Sequence, residues 1–320
     1  MAELSSRERV LRAVHGKDVD RTPRLFRAEA PVRDAITKAK GFADIYALYD
    51  HYGIDTQHIP VIYDKTKEVP CNFRDVHDAN YIREFPFPGE GYVNVGDSLK
   101  IAESASASGR AVVGGVWASL FTHSRGLIGE ERFLCSIYDE PELIEALVTW
   151  VTDMYISWNE QYLKACGKYI DIYYFGSDFG TQGSMFVSEE HYVRFFKENM
   201  RRIVASAKKY VDVVMFHTCG SVFDIIGHLI DIGVDILDPV QTGANKMQPG
   251  MLAKNYKGKI CFHGAVSTQK ILPFGTTEEV CAHVKDIIET LGPSGLVIGP
   301  DQDMIGHIPV ENVDAMYGKK

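Results

Sequence analysis

Short apolar runs alternate with helical segments along most of this chain, and this alternation is the feature that most constrains its fold. The runs are largely apolar throughout, which is typical of parallel strands buried on both faces. The predicted strands span residues 25–26, 58–63, 111–117, 171–177, 211–216, 235–240, 259–262 and 296–298. Eight such runs, most of them separated by helices, predict an α/β fold of the (β/α)8 TIM-barrel type. An open doubly wound sheet is the competing architecture, but no glycine-rich nucleotide-binding loop follows any run.

The chain is expected to form a single domain over residues 1–320, because it shows no internal repeat and no low-complexity segment. Residues 64–108 interrupt the regular pattern with a polar stretch that contains several prolines and glycines. This stretch is predicted to be a long, irregular insertion. The clearest helix start is at Thr276, where Glu279 gives the spacing of a capping box.

The composition excludes several classes of protein. The 34 basic and 43 acidic side chains give a formal charge of −9, which counts against nucleic acid as the main partner. No apolar run approaches the roughly 20 residues needed to cross a bilayer, and residues 1–12 lack the apolar core of a secretory signal. The six scattered cysteines are interpreted as reduced thiols, so we expect a cytoplasmic protein without a membrane partner. The oligomeric state is left open, with a homodimer as one option.

Polar residues that directly follow the predicted strands are the candidates for the active site, because a barrel of parallel strands places its site at their carboxyl ends. Asp178 and Gln182 are predicted to orient a substrate or to handle a proton, and the alternative is a turn that caps the next helix. Arg27 and Arg125 are candidates for binding a carboxylate, and the alternative is a surface ion pair. Asp238 also follows a predicted strand, but it precedes Pro239 and is interpreted as fixing its loop. The candidates taken as site residues are Arg27, His123, Arg125, Asp178, Gln182, His217, Cys219, Gln241, His263 and Gln302.

The sharpest motif is His217-Thr-Cys219-Gly at the end of the run 211–216. Because side chains alternate along a strand, the histidine and the cysteine are predicted to point the same way. An imidazole and a thiolate together suit zinc, and His263 is the candidate for a third ligand. The alternative is a hydrogen-bonded histidine beside a buried thiol. With Asp178, the same histidine and cysteine form the predicted catalytic group.

Four longer segments carry a family resemblance: RERVLRAVHGKDVDRTP, FHTCGSVFDIIGHLIDIGVDILDPVQ, KICFHGAVSTQKILPFGTTEEV and PVENVDAM. Together they resemble the uroporphyrinogen decarboxylase superfamily, which also contains corrinoid-dependent and zinc-dependent methyltransferases. The resemblance extends over nearly the whole chain. It implies a (β/α)8 barrel, in agreement with the strand count.

The segment FRAEAP, residues 26–31, separates this chain from the true decarboxylases of the superfamily. Those enzymes carry R-Q-A-G-R, whose arginines hold the acidic side chains of a tetrapyrrole. Here only Arg27 matches, and Pro31 stands at the second arginine position. The nearby Glu29 is unfavourable for a substrate with many carboxylates. The resemblance therefore points away from uroporphyrinogen decarboxylation.

The resemblance to the methyltransferase branch is carried by His217 and Cys219, which stand where that branch places zinc ligands. The branch takes its third ligand from a cysteine in the loop after the last strand. This chain has Gln302 at the matching position, so His263 or a carboxylate such as Asp303 would have to replace that ligand.

The resemblance implies a methyltransferase that moves a methyl group between a corrinoid and a small acceptor or donor. The corrinoid would be carried as methylcobalamin on a partner protein, and zinc at the barrel mouth would activate the acceptor. A metal-free decarboxylase of a tetrapyrrole or another carboxylated substrate is the alternative, with Arg27, Arg125 and Asp178 as contacts. A second alternative is a non-catalytic protein that binds a tetrapyrrole or a corrinoid.

Overall fold

A computed structural model describes residues 3–68 and 71–319 of the chain, and these residues form a curled parallel sheet covered by helices. The strands are β1 Thr56–His58, β2 Ala111–Gly114, β3 Ile172–Gly176, β4 Val213–His217, β5 Ile236–Val240, β6 Cys261–Val266 and β7 Leu296–Pro300. They lie side by side in chain order, and each neighbouring pair is parallel. The parallel α/β architecture predicted from the apolar runs is therefore confirmed.

The predicted strand at residues 25–26 forms single bridges in place of a regular strand. The Leu25 N–H donates to the Ile298 carbonyl on β7, and the Asp55 N–H donates to the Arg24 carbonyl beside β1. The ladder is interrupted because Pro23 has no N–H to donate and the Arg24 N–H binds the carboxylate of Asp55. Within residues 3–68 and 71–319, seven regular strands are thus observed where eight were predicted.

Helices follow most of the strands and cover the outside of the sheet. They are α1 Ser6–Val14, α2 Ala30–Lys40, α3 Ile45–Tyr52, α4 Ala79–Glu84, α5 Val95–Ser106, α6 Leu120–Ile128, α7 Glu130–Asp139, α8 Pro141–Cys166, α9 Glu189–His191, α10 Glu198–Ala207, α11 Ile226–Asp231, α12 Pro249–Tyr256, α13 Ile271–Phe274, α14 Thr277–Leu291 and α15 Val310–Met316. The predicted capping box at the start of α14 is present, with both hydrogen bonds between Thr276 and Glu279. Among the described residues, no helix is both long enough and apolar enough to span a bilayer.

The segment 64–108 contains a 3₁₀ turn and the helices α4 and α5. Two tryptophans of α8 hold its loops in place. The Trp150 indole N–H donates to the Phe85 carbonyl, and the Trp158 indole N–H donates to the Pro88 carbonyl, both at 2.7 Å. These bonds satisfy loop carbonyls that would otherwise be buried without a partner.

The two faces of the strands pack into two separate apolar clusters. Residues such as Val214, Leu237 and Phe262 pack outwards against the helices. The residues between them form the inner cluster, which also includes Val10 of α1. This inner cluster is made of Val10, Leu25, Ala111, Val113, Ile172, Val213, Met215, Ile236, Cys261 and Val297. Since it joins six strands and the Leu25 segment, the sheet curls around it.

Candidate metal centre

A layer of polar side chains lies directly above the inner apolar cluster, at the carboxyl ends of the strands. The period of two along each strand produces this layer, because a residue two positions after an inner apolar residue points the same way. Tyr174 follows Ile172 in this manner, and His217 follows Met215. The other members are Arg27 after Leu25, Asp238 after Ile236 and His263 after Cys261.

Asp238 is the centre of this polar layer and is only 1% exposed. Its Oδ2 accepts from His217 Nδ1 at 2.7 Å and from the Tyr174 hydroxyl at 2.7 Å. Its Oδ1 accepts from His263 Nδ1 at 2.6 Å, and the Arg27 guanidinium lies at 3.2 Å from Oδ2. Burial alone would raise the pKa of Asp238, but Arg27 and the two histidines outweigh burial and hold that pKa well below its ordinary value. A carboxylate anion therefore fixes both imidazole rings.

The ring of His217 is oriented so that its second nitrogen faces two further ligand atoms. Its Nδ1 binds Asp238, which leaves Nε2 at 3.2 Å from Cys219 Sγ and 3.4 Å from Asp178 Oδ1. Burial would lower the pKa of His217, but hydrogen bonds to Asp178 and Asp238 outweigh burial and raise that pKa well above its ordinary value. The two carboxylates thus favour a cation at Nε2, whether it is a proton or a metal ion.

Asp178, His217 and Cys219 have the arrangement of a metal-ligand group, since their ligand atoms all lie within 4.8 Å of one another. Tetrahedral zinc with ordinary bond lengths separates a nitrogen and an oxygen ligand by about 3.4 Å, and a nitrogen and a sulfur ligand by about 3.6 Å. The observed separations of 3.4 and 3.2 Å are close to these values. Zinc accepts carboxylate, imidazole and thiolate ligands, and the carboxylate on the far side of the histidine is the usual outer partner. The residues present therefore fit a zinc ion.

The turn after β4 that carries Cys219 is held by side chains from neighbouring loops. Asp178 Oδ1 accepts the Cys219 N–H at 3.1 Å, and Gln241 Oε1 accepts the Gly220 N–H at 2.9 Å. Gly220 has a φ of +81°, and a Cβ atom there would lie 2.4 Å from the Thr181 carbonyl oxygen. Glycine is therefore required for the turn to place Cys219 beside His217.

Comparison with known proteins agrees with this fold. A sequence model of the family described as uroporphyrinogen decarboxylase (URO-D) matches residues 36–318. The chain belongs to the uroporphyrinogen decarboxylase family. None of the curated proteins is a significant match to it.

Two solved structures share the fold of this family member over most of their length. A methyltransferase from Methanosarcina mazei aligns with a TM-score of 0.71 at 16% identity, covering 99% of this chain and 98% of that one. A B12-independent methionine synthase from a Shewanella species, in complex with selenomethionine, aligns with a TM-score of 0.51 at 12% identity, covering 93% of this chain and 96% of that one. At these identities the likeness concerns the fold.

Most of the predicted site residues lie in or beside the polar layer of this family member. Gln302 reaches Cys219 from the loop after β7, and its amide nitrogen donates to Sγ. His263 Nδ1 is bound to Asp238, and His263 is not one of the three residues of the metal-ligand group. The third member of that group is Asp178. His263 Nε2 is buried without a hydrogen-bond partner.

Three predicted residues make their contacts elsewhere. His123 Nδ1 pairs with the Tyr155 hydroxyl at 2.8 Å. Arg125 lies over the rings of Phe121 and Phe186 and binds Glu130. Gln182 is exposed, and its backbone carbonyl accepts the backbone N–H of Asn245 at 3.0 Å.

Tyr174 of the polar layer and two rings at its rim, Trp117 and His58, were not among the sequence-predicted candidates. Asp238 was interpreted as fixing its loop, whereas it is the centre of the layer. The sequence signal for Asp238 is an acidic residue inside an otherwise apolar strand, DILDPV, because a charge in such a strand needs buried partners. The indole of Trp117 is 42% exposed, and its ring centroid lies 5.4 Å from that of His217. His58, at the carboxyl end of β1, is exposed, and its ring centroid lies 5.3 Å from that of Tyr174.

A cavity of about 280 Å³ opens beside the polar layer. Its wall includes two guanidinium groups, a carboxylate, two aromatic rings and an imidazole. The lining residues are Phe26, Arg27, Ala28, Arg33, Tyr49, His58 and Asp303. Both nitrogens at the tip of Arg27 are engaged, one by Asp238 and the other by the Tyr174 hydroxyl, which leaves its Nε at 3.5 Å from Asp303.

The close contact between β3 and β4 predicts a large effect of Gly176→Ala. A Cβ atom at Gly176 would lie 2.4 Å from His217 Cβ, 2.7 Å from its carbonyl oxygen and 2.9 Å from the Trp117 ring. Such overpacking is expected to lower the free energy of unfolding by about 1–3 kcal/mol. Gly126→Ala is the matched control, because Gly126 is helical with nothing within 4 Å, and it should stabilise by up to about 1 kcal/mol. Equal urea midpoints for the two variants would contradict the prediction that the contact between β3 and β4 has no room for a Cβ atom.

Asp301, at the end of β7, should make stability depend on pH. Burial raises the pKa of Asp301 to about 6, although the Thr268 N–H and hydroxyl donate to its carboxyl at 2.9 and 2.7 Å. Between about pH 4 and pH 6 the folded chain then binds more protons than the unfolded chain, so this residue makes the free energy of unfolding fall by roughly 2–3 kcal/mol as the pH rises. Asp301→Asn should remove that decline in urea titrations across this range. A decline of the same size in the variant would assign it to other groups.

Proposed function

We propose that this family member is a methyltransferase that moves a methyl group between a corrinoid and a small acceptor or donor. The observation that carries the proposal is the group of Asp178, His217 and Cys219, whose ligand atoms lie within 4.8 Å of one another at the carboxyl ends of the strands. We take zinc as its metal. Membership of the family and the shared fold with a methyltransferase from Methanosarcina mazei support the same assignment.

Each residue of the layer has a definite task in this proposal. Asp178, His217 Nε2 and Cys219 Sγ would hold the metal, and Asp238 would keep the proton of His217 on Nδ1. Arg27 balances the buried charge of Asp238. Zinc bound to this group would lower the pKa of a thiol or an alcohol and so make it a better nucleophile.

The transfer itself is a displacement at the methyl carbon of methylcobalamin. The methyl group leaves cobalt without the electron pair of the Co–C bond, joins the sulfur or oxygen of the acceptor, and the acceptor's proton is released. The reverse reaction would load the corrinoid from a methyl donor. The exposed ring of Trp117 beside His217 offers a flat apolar surface for the corrin ring at the mouth of the site.

We also propose a complete eight-stranded barrel and a single domain for this chain. We take the sheet as a (β/α)8 barrel in which the segment around Leu25 acts as the eighth strand, because it bonds to β7 and lies beside β1. We also take residues 1–320 as one domain. A protein partner that carries the corrinoid would then approach the carboxyl ends of the strands.

A metal-free decarboxylase is the second candidate, and the cavity beside Arg27 and Arg33 favours it. A carboxylated substrate could bind Arg33, whose side chain is 40% exposed. Arg27 has less to offer such a substrate, because Asp238 and Tyr174 occupy both nitrogens at its tip. We therefore place this candidate second.

Methyl transfer can be tested on the zinc-loaded protein with methylcobalamin as the probe, under anaerobic conditions. A panel of small thiols and alcohols is offered, the absorbance of methylcobalamin is followed, and the methylated acceptor is identified by mass spectrometry. The proposal predicts demethylation that depends on both zinc and Cys219. Release of carbon dioxide from a carboxylated substrate by the zinc-free protein, without any methyl transfer, would favour the decarboxylase.

A further inference from the structure

Gln302 approaches the candidate metal centre from the loop after β7, and its amide has a defined orientation. Its Oε1 accepts the Asp303 N–H at 3.3 Å, which directs Nε2 towards Cys219, where the amide donates to Sγ. Gln302 is half-buried, as is Cys219. The backbone of the loop thus fixes which end of the amide meets the sulfur.

An amide nitrogen that donates a hydrogen bond cannot also bind a metal, because its lone pair is delocalised into the carbonyl group. The oxygen of Gln302, which could bind a metal, is turned towards Asp303. The group therefore has three protein ligands, of which Asp178 and Cys219 are anionic and His217 is neutral when it binds a metal. Three protein ligands with an open fourth position are the arrangement of catalytic zinc sites, whereas structural sites have four.

We propose that Gln302 is a positioning residue that acts through Cys219, and this inference rests on the proposed function. Its amide N–H group holds the thiolate of Cys219 in place and draws electron density from the sulfur. Because the amide nitrogen cannot bind a metal, Gln302 leaves the fourth position of the metal open. A hydrogen bond to a charged sulfur is stronger than one between neutral groups, so its removal should be measurable.

Three variants separate this role from that of a ligand. Gln302→Leu keeps much of the volume and removes the donor. Gln302→Cys supplies a fourth ligand atom. Gln269→Leu is the matched control, because Gln269 is an exposed glutamine in the turn after β6.

Cobalt(II) alone is the probe, titrated into the metal-stripped full-length chain and followed by absorbance. The charge-transfer band from sulfur to cobalt should move to longer wavelength in Gln302→Leu, because a thiolate without its donor holds its electrons less tightly. The affinity for cobalt should fall by about 10–100-fold, as for other outer partners of metal ligands, and the band should keep its intensity.

Gln302→Cys should raise the intensity of the band about twofold and bind cobalt more tightly. Wild type should bind added imidazole at its fourth position, whereas the spectrum of Gln302→Cys should not respond to imidazole. Gln269→Leu should match wild type.

The outcomes distinguish the inference from the function on which it rests. An unmoved band in Gln302→Leu, with wild type binding cobalt normally, would overturn the role of Gln302 and leave the metal centre in place. Loss of the visible spectrum of a bound tetrahedral ion in Gln302→Leu would make Gln302 a ligand and would also overturn it. No cysteine-dependent band in wild type would overturn both the inference and the metal centre.

Discussion

Cys219→Ser is expected to abolish tight zinc binding. The thiolate is the one sulfur ligand among the three, and a serine hydroxyl is a poor replacement because it stays protonated at neutral pH. The loss of affinity should exceed the roughly 10–100-fold that follows removal of an outer partner of a ligand. Competition with a chromophoric chelator at neutral pH measures this affinity directly.

The matched control is Cys281→Ser, at an exposed cysteine of α14. It should leave the zinc affinity unchanged, since Cys281 makes its contact with the Ala315 carbonyl. Zinc binding that is equally tight in both variants would remove Cys219 from the metal centre. Far-ultraviolet circular dichroism shows whether both variants keep the helices of the wild-type chain.

Asp238→Ala should give the largest loss of stability. The carboxylate is 1% exposed and is the shared partner of Arg27, Tyr174, His217 and His263. Without it, a largely buried guanidinium and two imidazole N–H groups lose their acceptor. Breaking a buried ion pair in this way costs about 3–5 kcal/mol, which urea unfolding of the metal-free protein can measure.

Asp303→Asn is the matched control for that variant. Asp303 also faces Arg27, at 3.5 Å, but its side chain is 46% exposed. An exposed ion pair contributes about 0–1 kcal/mol, so this variant should differ little from wild type. A loss below about 1 kcal/mol for Asp238→Ala would mean that water or a shifted side chain satisfies the layer, and the central place of Asp238 would be wrong.

The architecture could be predicted from the sequence because apolar strands and amphipathic helices have distinct local patterns. The exact bounds of the first strand could not be predicted in this way. The run 58–63 was predicted, but β1 is Thr56–His58, because Pro60 cannot donate to a neighbouring strand and the apolar residues after it belong to the following loop. The single bridges of Leu25 depend on the carboxylate of Asp55, about thirty residues away, and no local pattern reports such a contact.

The site was predictable where it depends on strand ends and on the period of two. That rule alone placed His217 beside Cys219, and both are members of the group of three. It led us to name His263 as the third ligand, whereas the group of three contains Asp178, and His263 Nδ1 is bound to Asp238. A local pattern does not show which side chain Asp238 binds. It also did not show that Arg125 contacts Glu130 and the ring of Phe121, since the direction of a side chain after a strand is set by the loop that follows.

The most direct test of the metal centre is a crystal structure of the zinc-loaded protein, with anomalous differences recorded on both sides of the zinc absorption edge. We predict one peak bonded to Cys219 Sγ at about 2.3 Å, to His217 Nε2 at about 2.0–2.1 Å and to an oxygen of Asp178, with a fourth position held by no protein atom. A peak bonded to His263, or no peak at the strand ends in protein that has been offered zinc at neutral pH, would contradict it.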